Sequence, residues 1–219
     1  MHRKNDKKVA KTALINTMES TENKIVKRVK GRGRGSIVFQ QDFADCGTPM
    51  AIKSAFHRLY ANGMLLRLAQ GIYYYPKEDH EWNLGTIYPS FEQVAEAIAK
   101  RDKAKIIPTG AHALNILGLS TQVPMNFVYI TSGTPRRIKI GDKKGILFQH
   151  SSSGKLFSFK SNVMLLVMMA MKEIGEKELT EDQLAIIKEH LTHVSASEFN
   201  HDIKLMPSWI RQILMKRCN

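Results

Sequence analysis

The run Cys46-Gly47-Thr48-Pro49 constrains the fold of this chain more than any other feature of its sequence. Cysteine and glycine end a short helix predicted for residues 41–45. Threonine followed by proline is an N-cap with proline at the first helical position, which proline prefers. The helix that begins there runs to about Asn62, and Gly63 supplies the residue that ends it. Two helices are therefore predicted to meet at a tight turn.

The elements around this turn complete a known order. A helix is predicted from Ser20 or Thr21, which offer a cap, to the glycine-rich stretch K-G-R-G-R-G (30–35). Residues 36–39 form a β-prone segment, and the strand-like runs 64–68 and 71–75 flank a tight turn at residues 69–71. The order helix, short strand, helix, turn, helix, hairpin is that of a winged helix-turn-helix, which we predict for residues 20–76.

Charge is concentrated at the same end of the chain. The protein has 33 Lys and Arg against 20 Asp and Glu, a net charge of +13. Residues 1–76 hold 14 basic and 5 acidic residues, a net +9, whereas residues 77–219 hold 19 and 15, a net +4. This segregation favours a polyanionic partner, nucleic acid before an acidic membrane surface. Residues 1–19 are predicted to be a flexible basic arm.

The remainder is predicted to be a linker (77–89) followed by a larger mixed α+β domain (90–219), so that the whole chain is of the α+β class. Helices are expected at 91–101, 111–117, 161–174, 181–193 and 207–217, and strands at 126–132, 136–140 and 146–150, with an extended segment at 106–108.

The helix after the tight turn carries the candidate DNA-reading residues. At 100° per residue, Ile52, Ala55, Phe56 and Leu59 share a side suited to the core. Lys53 and Arg58 can donate to guanine edges or phosphates. Smaller polar side chains on the same face, and residues at the start of the helix, can also reach the bases. The predicted groove-facing set is Thr48, Met50, Lys53, Ser54, His57 and Arg58. A plain amphipathic surface helix is the alternative.

Basic residues flank this helix. Five of them lie at the end of the first helix and in the glycine-rich turn: Lys27, Arg28, Lys30, Arg32 and Arg34. The predicted wing contains Arg67 and Gln70. Each cation can neutralise a phosphate, which predicts a steep salt dependence of binding. An RNA-binding segment of the RGG type is the alternative for G-R-G-R-G.

A second basic cluster occurs in T-P-R-R-I-K-I (134–140), with Arg136, Arg137 and Lys139. The period of a strand puts Arg137 and Lys139 on one face and Ile138 and Ile140 on the other. A second contact to DNA or to an acidic partner is one interpretation, and a solvated strand face is the other.

Catalytic and metal-binding motifs are missing from the sequence. No P-loop, G-x-G-x-x-G after a strand, H-E-x-x-H or G-x-S-x-G occurs. Cys46 and Cys218 do not form a zinc or disulfide pattern. The longest apolar run, residues 163–171, is too short to span a bilayer. We therefore expect a cytoplasmic protein that is not an enzyme and needs no cofactor, metal or membrane.

Four motifs, taken together in this order, carry a family resemblance. They are G-M-L-L-R-L-A-Q-G-I-Y-Y-Y-P (63–76), T-G-A-H-A-L-N-I-L-G-L (109–119), N-F-V-Y-I-T-S-G-T-P-R-R-I-K-I-G (126–141) and I-L-F-Q-H-S (146–151). Over about residues 20–200 the chain resembles the AbiEi-type antitoxins of type IV toxin–antitoxin systems. The first motif is shared by many winged helices, whereas the combination is more specific.

The resemblance implies a transcriptional autorepressor whose winged helix binds inverted repeats in its own promoter. It places the DNA contacts at residues 48–58, Arg67 and the wing turn, and the basic strand 134–139 on the C-terminal domain. It also implies that this domain counteracts a nucleotidyltransferase-like toxin without a stable complex. The alternatives are a winged-helix accessory protein of a defence system or mobile element without antitoxin activity, or an RNA-binding protein.

Overall fold

The computed structural model describes residues 19–79, 81, 84–122, 124–141 and 144–216. The chain has a mixed α+β fold and divides into two compact units between Ser90 and Phe91. Residues 1–18 of the predicted arm and Cys218 lie outside the described residues. No helix in the described ranges is both long and apolar enough to cross a membrane.

The first unit begins with two helices joined through a short strand and a 3₁₀ turn. Its elements are α1 (Thr21–Arg32), β1 (Ile37–Phe39), a 3₁₀ helix (Gln40–Cys46), α2 (Pro49–Ala61), β2 (Leu66–Ala69) and β3 (Ile72–Tyr74). The three strands form an antiparallel sheet in the order β1-β3-β2, with Val38 and Arg67 both opposite Tyr73. These elements agree with the predicted ones to within one or two residues at most boundaries.

One core holds these elements together. Helix α1 contributes Ile25 and Val29, and the 3₁₀ helix contributes Phe43, all fully buried. Helix α2 lays Phe56 between Phe43 and Tyr73, with ring centroids 5.3 and 4.8 Å away. The two helices and the sheet are therefore fixed against one another by aromatic packing.

The segment predicted to be a linker contains a small hairpin. Strands β4 (Lys77–Asp79) and β5 (Gly85–Ile87) pair antiparallel, and the Tyr74 hydroxyl donates to the Ile87 carbonyl at 2.6 Å. The strands are three residues long and mostly polar, so hydrophobic alternation does not reveal them.

The second unit places helices around a mixed sheet. Its elements are α3 (Phe91–Arg101), β6 (Ile106–Pro108), α4 (Ala111–Ile116), β7 (Asn126–Thr131), β8 (Arg136–Ile140), β9 (Lys144–His150), a 3₁₀ turn (Leu156–Ser158), α5 (Asn162–Ile174), α6 (Glu181–Leu191), α7 (Ala196–Asp202), a 3₁₀ turn (Ile203–Leu205) and α8 (Ser208–Lys216). The strand order is β6-β7-β9-β8, in which only the β7–β9 pair is parallel.

Helix α5 is the centre of this unit's core. Its methionines Met164, Met168, Met169 and Met171 are all buried. The fully buried Asp202 carboxylate accepts the backbone N–H groups of residues 160 and 161 at 2.8–3.1 Å, just before α5 begins. A carboxylate at this position accepts hydrogen bonds from N–H groups at the start of the helix. Its negative charge also interacts favourably with the positive end of the helix dipole.

Helix α7 is absent from the sequence prediction. Ser195 and Glu198 form a reciprocal capping box at its start. That signal is present in S-A-S-E, but the seven-residue helix is too short to show a periodic apolar face.

Candidate nucleic-acid interface

The beginning of α2 is built as the sequence predicts. The Ala51 N–H donates to the Thr48 side-chain oxygen at 3.3 Å, and Pro49 takes the first helical position. A Cβ atom at Gly47 would collide with the side chain of Thr21, the first residue of α1. Glycine therefore lets the chain pass close to α1 just before α2 starts.

Helix α2 is sorted into two faces. Ile52, Ala55, Phe56 and Leu59 are at most 4% exposed, so the predicted core face is confirmed. On the other face Lys53, Ser54 and His57 are exposed, together with Thr48 and Met50 at the leading end. Met50 is 75% exposed, which is unusual for so apolar a side chain. The helix thus offers a polar outward face, and its contacts to bases stay a prediction.

Arg58, predicted to read the groove, has a partner within the fold. Its Nε donates to the Glu22 carboxylate at 2.6 Å and joins α2 to the first turn of α1. The side chain is still 58% exposed. Arg58 therefore ties the two helices together, a role that its place on the helical wheel does not reveal.

Arg28 and Arg32, predicted to contact phosphates, also bind within the first unit. Arg28 holds both carboxylate oxygens of Asp45, at 2.8 and 2.6 Å, and the carbonyl of Asp42. The hydrogen bond from Arg28 lowers the pKa of the Asp45 carboxyl to about 2. Arg32 pairs with the Asp42 carboxylate at 3.1 Å. Both guanidinium groups lie over the Phe43 ring, so the two arginines clamp the 3₁₀ helix against α1.

Arg34 is likewise tied to the fold. Its guanidinium donates to the Pro76 carbonyl at 3.0 Å and lies over the Tyr75 ring. The glycine-rich turn that carries it uses Gly33 and Gly35 at positive φ, +83° and +89°. This turn is therefore anchored to the end of the hairpin strand β3, not free as in an RGG segment.

The balance of charges shows which cations have no acidic partner. Residues 20–76 contain nine Lys and Arg but only three acidic residues, Glu22, Asp42 and Asp45. Each of the three pairs with an arginine, which leaves six other cations. None of these six takes part in an ion pair within the described ranges; they are Lys24, Lys27, Lys30, Arg34, Lys53 and Arg67.

The wing residues face outward in part. Arg67 is exposed on β2, and Gln70 is exposed in the turn to β3, where Gly71 has φ +71°. Lys27 and Lys30 are exposed on α1, and so is Lys24, which is not among the predicted phosphate contacts. The signal that would have found Lys24 is its spacing from Lys27, one turn along the same helix.

The second basic cluster is split by the strand. Arg137 and Lys139 are exposed on β8, as the period predicts. Arg136 is on the opposite face, where it pairs with Asp102 and lies over the Phe148 ring. Burial lowers the pKa of Arg136. The basic face therefore consists of two residues, because alternation along a strand sends Arg136 to the other side.

Comparison with known proteins adds a family but not a function. The chain belongs to the family of unknown function DUF6088, whose model matches residues 24–199. No curated protein matches the chain. Among solved structures it is similar to the crystal structure of the RV2827C protein from Mycobacterium tuberculosis, at 14% identity and a TM-score of 0.47, over 91% of this chain and 83% of the other.

Proposed function

We propose that residues 20–76 are a winged helix-turn-helix that binds double-stranded DNA, with α2 in the major groove and the β2–β3 hairpin as the wing. The observation that carries this proposal is that α2 has one buried apolar face and one exposed polar face. Its inner face is buried, and Lys53, Ser54 and His57 are offered to solvent. The major groove of DNA admits an α-helix, and side chains of this kind donate to base edges.

The charge balance supports the same proposal. The acidic side chains of this region are each occupied by an arginine, so the remaining cations dominate its surface potential. Lys24, Lys27 and Lys30 supply phosphate contacts from α1, and Arg67 supplies one from the wing. Contacts to phosphates position such a domain, whereas the α2 side chains specify the sequence.

We further propose that the protein is a cytoplasmic transcriptional autorepressor with the antitoxin role of the AbiEi type. The support is the set of four motifs that extends from the wing into the second unit, through T-G-A-H to the strands β7, β8 and β9. In this proposal the first unit binds inverted repeats in the protein's own promoter, and the second unit counters a nucleotidyltransferase-like toxin.

A mobility-shift experiment with the full chain tests DNA binding. The probes are the duplex upstream of the protein's own gene, a scrambled duplex of equal length and composition, and a duplex RNA of the same sequence. The proposal requires tightest binding to the upstream DNA. Equal affinity for all three probes, or preference for RNA, contradicts it.

Co-expression tests the antitoxin role separately. The antitoxin proposal requires a gene for a nucleotidyltransferase-like protein beside the gene for this chain. That gene is induced with and without this chain, and with a Lys53→Ala, His57→Ala variant that lacks the proposed DNA-reading side chains. Rescue of growth by both versions is the expected result, since neutralisation is assigned to the second unit. Failure of both to rescue contradicts the antitoxin role and leaves the DNA-binding result unaffected.

A further inference from the structure

The second unit contains a pocket of about 260 Å³ that the proposed DNA-binding role does not use. It is formed by side chains from α3, β6, α4, β7 and α5. Its polar lining residues are Glu92, Glu96, His112, Tyr129 and Asn162, and its apolar wall includes Leu165 and Leu166.

Two of these polar residues are buried with an unpartnered atom. Tyr129 is 3% exposed, and its hydroxyl has no hydrogen-bond partner in the described part of the chain. His112 is 2% exposed, and its Nδ1 also has none there. A buried polar atom without a partner is costly. The free chain thus carries groups at the pocket that a ligand can satisfy.

His112 is fixed in orientation and charge. Its ring is edge-on to Phe127 and Tyr129, and its Nε2 lies 3.0 Å from the Glu92 carboxylate. Burial lowers the pKa of His112, so the ring is neutral and Nε2–H donates to Glu92. The pocket therefore holds carboxylate charge that no histidine cation offsets.

Two carboxylates, those of Glu92 and Glu96, act on the Tyr129 hydroxyl. Glu92 and Glu96 are four residues apart on α3 and lie on one face of that helix. Burial, and then these two carboxylates, raise the pKa of Tyr129 well above its usual range. Glu96 is exposed at the opening, and its side chain takes part in no ion pair within the described ranges.

We propose that this pocket binds a small organic cation with an apolar body, whose ammonium group donates to the Glu96 carboxylate and the Tyr129 hydroxyl oxygen while its body contacts Leu165 and Leu166. Among the described residues, the lining contains two carboxylates and no lysine or arginine, which disfavours an anionic ligand. No group of three metal-ligating side chains occurs within the described residues.

The size of the pocket limits the ligand. A cavity of roughly 150 Å³ accepts benzene, and drug-sized ligands take roughly 300–1,000 Å³. At about 260 Å³ the pocket suits one ring or a short alkyl chain together with its ammonium group. Arylalkylamines and alkylamines have the positive charge that the carboxylates favour and the size that the pocket volume allows.

Calorimetric titration of the full chain tests this assignment. The probes are phenethylammonium and hexylammonium chloride, with 2-phenylethanol as the neutral and 3-phenylpropionate as the anionic comparator. We expect the ammonium probes to bind, the alcohol more weakly, and the carboxylate not at all. Equal binding of the charged and neutral probes, or no binding of either ammonium probe up to millimolar concentration, overturns the proposal.

Variants separate the site from the fold. Glu96→Gln is expected to weaken binding of the ammonium probes by about tenfold or more, since it removes a charged acceptor. Glu189→Gln removes the same charge from an exposed position on α6, outside the pocket lining, and leaves affinity unchanged. An equal effect of the two changes overturns the proposal.

Tyr129→Phe gives a second readout. The hydroxyl has no partner among the residues that the structure describes, so its removal leaves the melting temperature the same or higher while ligand affinity falls. Ile116→Trp, at a 43% exposed position of the lining, blocks the pocket without disturbing the core. Affinity that survives both changes overturns the assignment.

Discussion

The two units of this protein treat their buried polar groups differently. In residues 20–76, the acidic side chains all meet arginines, and none of the buried side-chain polar atoms found without a partner lies in the described part of this region. In the described part of the second unit three such atoms occur, on His112, Tyr129 and Arg136. A unit whose buried polar groups all have partners suits action through its outer surface. Unpartnered polar groups of His112 and Tyr129, which line the pocket, suit a unit that takes a ligand.

The hydrophobic cores of the two units also differ, in the kind of side chain at their centre. The first unit is centred on the packed rings of Phe43, Phe56 and Tyr73. The second is centred on the methionines of α5, whose unbranched side chains adapt to their surroundings. We therefore expect α2 to be held rigidly, which a groove-reading helix requires, and the second unit to tolerate change more readily.

The largest expected effect comes from Phe56→Ala. The ring is fully buried against two others, so its removal should lower the free energy of unfolding of the first unit by about 3–5 kcal/mol. Denaturant titration, with hydrogen exchange of α1 and β1, measures it. Tyr60→Ala on the same helix is the control at a 48% exposed position, with an expected change within about 0.5 kcal/mol. Similar losses for both would mean that the aromatic core does not hold this unit.

Asp202→Ala is the matching change in the second unit. It leaves the N–H groups of residues 160 and 161 and the His201 ring without their acceptor, at an expected cost of about 3 kcal/mol. The control is Asp182→Ala in the exposed first turn of α6, where the helix dipole alone predicts about 0.3–1 kcal/mol. Thermal denaturation of both variants is the measurement, and an unchanged melting temperature for Asp202→Ala would contradict the role given to this carboxylate.

A third prediction separates free cations from clamped ones. Lys30→Ala removes an exposed charge and should reduce the slope of log affinity against log salt by about 1. Its loss of stability is limited to the helix-dipole contribution in the last turn of α1, at most about 0.3–1 kcal/mol. Arg28→Ala should instead destabilise the first unit, because Asp45 and the Asp42 carbonyl lose their donor. DNA titrations at three salt concentrations, run beside denaturant curves, distinguish the two. If Lys30→Ala destabilises the fold as much as Arg28→Ala, the division of cations is wrong.

The smallest expected effect concerns Arg58 and Glu22. Their pair is partly exposed, so a double-mutant cycle with glutamine at both positions should give a coupling of about 0.2–1 kcal/mol in unfolding free energy. A coupling indistinguishable from zero would show that the contact does not hold α1 to α2. Arg58 would then be available to DNA, as its place in the sequence suggests.

Local signals in the sequence predicted much of this fold. Caps and glycines fixed the ends of α1 and α2, and the apolar period of α2 identified its buried face. The ion pairs of the arginines could not be predicted from the sequence, since Arg58 and Glu22 are 36 positions apart and no local rule joins them. The pocket was missed for the same reason, because His112 and Tyr129 come near Glu92 only when α4, β7 and α3 assemble.

The most direct test of the DNA-reading role of α2 is the specificity ratio of a Lys53→Ala, His57→Ala variant, measured by titrating the upstream and scrambled duplexes at one salt concentration. If these side chains meet base edges, each loss costs about 1–3 kcal/mol on the upstream duplex and much less on the scrambled one. The ratio should then fall at least about tenfold while the melting temperature stays unchanged. Equal losses of affinity on both duplexes would show that the outward face of α2 does not read sequence.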